Sequence, residues 1–156
     1  MKESVSIVVL DREDPTTLES VKECLAEVDC EIVRCASEEA LMGTITSSPV
    51  EVLVINLEKP FERSFRLLSD IQTKARNTEV IFVALFDAET LWAWMEVIQR
   101  GAYEFLPKPF KPEELRYYLR QAIKKQRSKS RQTMPVAEFE KDMNSALLHK
   151  TADAGA

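Results

Sequence analysis

Histidine is almost missing from this chain, with one in 156 residues, His149, close to the C-terminal end. A histidine-based metal centre or a Ser-His-Asp triad in the body of the chain is therefore excluded. Glycine is scarce as well, and its three residues form no glycine-rich loop that could cradle a phosphate. The cysteines Cys24, Cys30 and Cys35 are odd in number and lack C-x-x-C spacing. The start, Met1-Lys2-Glu3-Ser4, reads as the approach to a strand and not as an export signal. The cysteines are accordingly expected as reduced thiols that pack as small hydrophobes, and the location as cytoplasmic. No apolar run approaches the ~18 residues of a membrane span, so no membrane contact is expected. A net charge of −5 gives no global attraction to nucleic acid.

What is present is a repeating alternation of apolar runs and amphipathic segments. The clearest run is Val52-Leu53-Val54-Ile55, which stops at Asn56 and is followed by Leu57-Glu58-Lys59-Pro60. Such a run reads as a strand buried on both faces. Residues 4–10, 31–36, 80–85 and 103–106 read as further strands. Helices are expected over 15–28, from Ser37 toward Pro49, and over 63–74, 88–100 and from Pro112 onward. For the helix over 88–100 the spacing predicts a core face of Leu91, Met95 and Ile98, ended by Gly101 as a left-handed cap. Five strands alternating with five helices predict an α/β fold, a doubly wound parallel sheet in a three-layer sandwich. Functional residues in such sheets stand just outside the carboxyl ends of the strands, which brings Asp11, Asn56, Ala84 and Lys108 to one rim.

The order and placement of two motifs on this plan resemble the receiver domain of two-component response regulators. Gly101-Ala102-Tyr103-Glu104-Phe105-Leu106-Pro107-Lys108-Pro109-Phe110 is similar to that family's fifth-strand signature, in which a lysine precedes a usually cis proline. Asn56-Leu57-Glu58-Lys59-Pro60 is similar to the segment that begins with its phosphorylated aspartate. The resemblance implies a flavodoxin-like sheet of strand order 2-1-3-4-5 over residues 1–127. It also implies phosphorelay signalling without turnover, so an enzyme is not expected. Carried over position by position, Asp11 is the first acid and Arg12 falls where a second acid normally stands. Asn56 falls on the phosphoacceptor, Ala84 on a Ser/Thr position, Lys108 on the lysine and Phe105 on the switch aromatic.

The departures point one way. An amide is not a nucleophile toward phosphoryl donors, and its oxygen lacks the charge that attracts a hard cation. Arg12 places a fixed positive charge where the cation belongs, and Ala84 has no hydroxyl to offer. The expectation is a pseudo-receiver without cofactor, in which Asp11 pairs with Lys108 or Arg12 and no metal binds. Asp11 and Glu13 are the remaining metal candidates. One alternative is a genuine phosphoacceptor using magnesium, with Asn56 an engineered or tolerated change. Another is a flavodoxin-like small-molecule binder.

Trp92 and Tyr103 are read as an interaction surface, Trp92 as a half-exposed aromatic on the fourth helix. The partners implied are a signalling protein or histidine kinase, or a homodimer formed through the helix 4–strand 5–helix 5 face or the tail. Residues 128–156 are expected to hold a basic linker, an amphipathic helix at Val136, Phe139, Met143, Ala146 and Leu147, and a disordered end. The basic run 124–131 carries no aromatic or motif support for nucleic-acid binding. No helix-turn-helix, ATPase loop or cyclase motif accompanies it.

Overall fold

The computed structural model describes residues 5–11 and 16–130, the side chains of 127–130 excepted. The elements alternate without exception: β1 (Val5–Leu10), α1 (Thr16–Cys24), β2 (Cys30–Cys35), α2 (Glu38–Ser47), β3 (Val52–Asn56), α3 (Phe61–Lys74), β4 (Glu79–Leu85), α4 (Ala88–Gln99), β5 (Glu104–Lys108) and α5 (Pro112–Ser130). All strand pairs are parallel and the order is β2-β1-β3-β4-β5. This is the doubly wound, flavodoxin-like sandwich that the strand pattern and the resemblance predicted. The expectations for Arg12, Glu13 and the tail beyond residue 130 lie outside the described residues.

Strand alternation divides the core into two layers. Val8, Leu10, Leu53, Ile55, Phe82 and Phe105 point to one face, where α2, α3 and α4 pack. Ile7, Val9, Val52, Val54, Ile81, Val83 and Leu106 point to the other, against α1 and α5. Both faces of the central strands are covered, so their sequences are apolar runs and do not alternate with polar residues. Cys24 and Cys35 are buried and Cys30 half-buried, all three as free thiols.

Local signals account for the helix ends. The Ser37 hydroxyl accepts a hydrogen bond from the Ala40 N–H at 3.1 Å and opens α2. Gly101 follows α4 with φ of +101°, the left-handed position that glycine adopts freely.

Helix α4 differs from expectation in the face it buries. Leu91, Met95 and Ile98 are 48%, 59% and 39% exposed, and Thr90, Ala93 and Val97 are the buried residues. Most positions of α4 are apolar, so hydropathy marks its core face weakly, and the small residues Thr90, Ala93 and Val97 let the helix sit close to the sheet. A capping box opens the helix: the Asp87 carboxylate accepts from the Thr90 N–H at 2.9 Å, and the Thr90 hydroxyl accepts from the Asp87 N–H at 2.6 Å. Thr90 is buried and Leu91, the next residue, faces solvent.

Candidate functional site

The carboxyl rim of the sheet gathers the residues singled out above. Asp11 directly follows β1, and its backbone is held on both sides. Its N–H donates to the Cys35 carbonyl at 3.1 Å, and its own carbonyl accepts from Arg34 Nη2 at 2.9 Å. Its side chain is wholly buried, and neither carboxylate oxygen has a hydrogen-bond partner among the described residues. No hydrogen bond joins the Asp11 carboxylate to Lys108 among the described residues, and Arg12, the other expected partner, lies outside them.

Asn56 closes β3. Its Oδ1 accepts a hydrogen bond from the Thr17 hydroxyl of α1 at 3.3 Å, and Thr17 is itself buried. By strand alternation Asn56 lies on the side of the sheet that α1 and α5 cover. Ala84 lies on the opposite side, buried, level with Pro107 of β5. Lys108 ends β5 opposite Leu85 and is joined to Pro109 by a cis peptide bond, as the resemblance implied.

A magnesium ion at this rim would need several hard oxygen donors in octahedral array, carboxylates foremost. At the ends of β1 and β3 stand the Asp11 carboxylate and the Asn56 amide oxygen, the latter engaged by Thr17. No cluster of three metal-ligating side chains occurs among the described residues, and Glu13, the other metal candidate, lies outside them. Beside Asn56, on the α2–α3 side, lies a cavity of about 40 Å³ lined by Glu38, Glu58, Lys59 and Arg63 among others. It admits water and is far below the ~300 Å³ at which ligand pockets begin.

Two further features tie the rim to α4. Lys59, in the loop after β3, reaches Glu89 at 2.7 Å and Asp87 at 3.3 Å. These bonds, Glu89 first, raise the pKa of the Lys59 ammonium. The Asp87 carboxyl is held below its ordinary value, mainly by the Thr90 N–H and then by Lys59. Inside, Phe105 is 1% exposed and lies flat on Trp94 of α4, with centroids 5.3 Å apart and planes at 21°. Phe86 meets Trp94 edge-on at 6.5 Å.

Trp92 is half exposed, as the sequence predicted, and its inner edge packs on Phe65 at 5.6 Å and Phe61 at 6.5 Å. Tyr103 is half-buried beside β5, with Lys125 over its ring at 5.4 Å. Burial, and secondly the Glu79 carboxylate, raise the pKa of its phenol. Sequence reasoning missed Thr17, Lys59 and Phe86. Thr17 carried a usable signal, since a hydroxyl in the first turn after strand one stands at the active rim. Lys59 and Phe86 carried none, because their partners are set by how two loops meet.

A parallel sheet of order 2-1-3-4-5, an acid after its first strand and a Lys-cis-Pro step closing its fifth together define a receiver-type domain. The chain belongs to the response regulator receiver domain family, whose model matches residues 7–120. It is 28% identical over 124 residues to the probable C4-dicarboxylate response regulator DctR of Priestia megaterium, an alignment covering 78% of this chain and 53% of that one. It is 29% identical over 111 residues to the DNA-binding transcriptional regulator NtrC of Bradyrhizobium sp. (strain RP501 Parasponia), covering 70% of this chain and 22% of the relative. The chain thus spans about half the length of the first relative and about a fifth of the second. A receiver-domain crystal structure from Clostridium thermocellum superposes with a TM-score of 0.66 at 23% identity, over 83% of this chain and 99% of that one. The protein is a receiver domain of two-component signalling. No helix among the described residues is long and apolar enough to cross a membrane.

Proposed function

We propose that this receiver signals without being phosphorylated, by binding a protein partner through its α4–β5–α5 face. The observation that carries the reading is Asn56 at the end of β3, its amide oxygen held by the Thr17 hydroxyl. An amide there offers no nucleophile for a phosphoryl donor. Ala84, which offers no hydroxyl, and the buried Phe105–Trp94 stack, which holds the aromatic inside, support it. On this reading the module has no turnover and no magnesium, and it acts in the cytoplasm on a signalling protein, a histidine kinase or a second copy of itself. That the relatives are named as regulators, one of them DNA-binding, supports a role as one part of a larger regulator. Nucleic-acid contact by the module itself is not part of the proposal.

Incubation with acetyl phosphate and magnesium, read by intact mass, tests this directly. The expected result is no added phosphoryl group. A stable phosphoryl adduct sinks the reading.

One observation favours a second reading. A fully buried carboxylate with no hydrogen-bond partner, as at Asp11, is costly unless something satisfies it. A divalent cation would do so in a genuine phosphoacceptor with Asp11 and Glu13 as its acids. Asn56→Asp separates the two readings: phosphorylation restored by that one change favours a pocket still fit for the chemistry.

A further inference from the structure

Neither Asp11, Ala84 nor Lys108 lines the cavity beside Asn56. It lies instead at the N-terminus of α3, where Lys59, Pro60, Arg63 and Ser64 form part of its wall. That helix has 14 residues, and its cap, Pro60, offers no side chain to the first N–H groups. Such groups have no partner within a helix and form the positive end of its dipole. Ser64, one turn further on, is 8% exposed, and its hydroxyl has no hydrogen-bond partner among the described residues. A hydroxyl buried in that way is costly unless something in the cavity meets it. Asn56 adds donors of its own. Its Oδ1 is taken by the Thr17 hydroxyl, which leaves the two N–H groups of Nδ2 without an acceptor among the described residues. Arg63 binds Glu38 through Nε at 3.1 Å, and its terminal N–H groups remain.

We propose that this cavity binds a small inorganic oxyanion of the phosphate or sulfate class, seated on the N-terminus of α3 between Asn56, Ser64 and Arg63. Backbone N–H groups at a helix start, a hydroxyl, an amide and a guanidinium are the donors that hold such ions. A volume of about 40 Å³ has room for about three water-sized groups, which suits a tetrahedral ion and shuts out larger organic ligands. Two carboxylates also line the cavity. Glu38 is held by Arg63, and Glu58 has a partner of its own. Both oppose an anion and keep its affinity low. The amide at Asn56 is decisive in that balance, because a carboxylate there would set a third negative charge against the ion. Arg63 also bridges α3 to Glu38 of α2, so the ion reaches that contact as well. The ion is held and not covalently attached, which separates this site from any phosphoryl transfer to the end of β3.

Titration of the full, isotope-labelled chain with inorganic phosphate, without magnesium and at constant ionic strength, tests this by amide NMR. Saturable shifts are expected at the Phe61 and Glu62 amides and at the Asn56 side-chain amide, with a Kd of roughly 1 mM. Sulfate is expected to compete with phosphate. Ser64→Ala removes one donor and is expected to weaken binding roughly ten-fold. Its hydroxyl has no partner to lose, so that variant is expected to melt no lower than wild type in phosphate-free buffer. Arg63→Gln is expected to weaken binding roughly ten-fold or more. Asn56→Asp is expected to abolish saturation. Arg66→Gln, exposed on the same helix and outside the cavity, removes an equal charge and is expected to bind as the wild type does. Wild-type shifts that fail to saturate or spread over the whole surface overturn the proposal. So do undiminished binding or a lower melting temperature for Ser64→Ala, saturable binding by Asn56→Asp, and a loss in Arg66→Gln as large as in Arg63→Gln. None of these outcomes touches the acetyl phosphate result, on which the phosphorylation-independent reading stands or falls separately.

Discussion

Helices α3 and α4 lie side by side on one face of the sheet and treat their large side chains in opposite ways. Helix α3 buries Phe61, Phe65, Leu67, Leu68 and Ile71, turning Arg63, Arg66 and Asp70 outward. Helix α4 buries Thr90, Ala93 and Val97 and leaves Leu91, Trp92, Met95 and Ile98 in contact with solvent. The first arrangement is that of a helix built to hold a core. In the second, a small-residue face lets the helix sit close to the sheet while the bulky residues stay in contact with solvent. The rim and the α4 face differ in the same way. At the rim, Asp11, Asn56 and Lys108 bring polar groups to the strand ends, whereas at α4 the exposed surface is apolar.

The contrast breaks most readily by truncating one large residue on each helix. Leu68→Ala, at a fully buried site in α3, is expected to cost about 2–5 kcal/mol in urea unfolding. Met95→Ala in the same assay, at dilute protein concentration, is expected to stay within about 0.5 kcal/mol of wild type. Comparable losses at the two sites would mean that α4 is a core helix after all. A smaller effect sharpens how α4 ends. Gly101→Ala places a Cβ in the left-handed region and 2.5 Å from Gln72 Nε2, which itself donates to the Arg100 carbonyl. The expected cost is about 1–2 kcal/mol, again by urea unfolding.

An effect smaller than that of Gly101→Ala concerns how α4 begins. Asp87→Ala removes the N-cap and one anchor of Lys59, so the melting temperature at neutral pH should fall by less than for Gly101→Ala. The folded-state pKa of Asp87 is lowered, so its contribution is present above the unfolded carboxylate pKa. It is lost as pH falls through the folded value. The gap between wild type and Asp87→Ala should therefore close in acid. A gap that widens in acid would show that Asp87 does not stabilise the start of α4 as a charged cap.

By itself the sequence determined the sheet, the helices and the rim. Apolar runs covered on both faces admit little but parallel strands, and parallel strands joined by helices bring Asp11, Asn56, Ala84 and Lys108 to one edge. The presence of Asn56 at the end of the third strand was legible in the same way, because residue identity at a strand end needs no coordinates. Three things were decided only in three dimensions. The face buried by α4 is Thr90, Ala93 and Val97 and not the expected Leu91, Met95 and Ile98, because small residues fit closest to the sheet. The bond from Thr17 to Asn56 and the bonds from Lys59 to Asp87 and Glu89 depended on segments brought together only by the completed sheet. The burial of the Asp11 carboxylate, without a hydrogen-bond partner among the described residues, is a matter of packing and not of residue type.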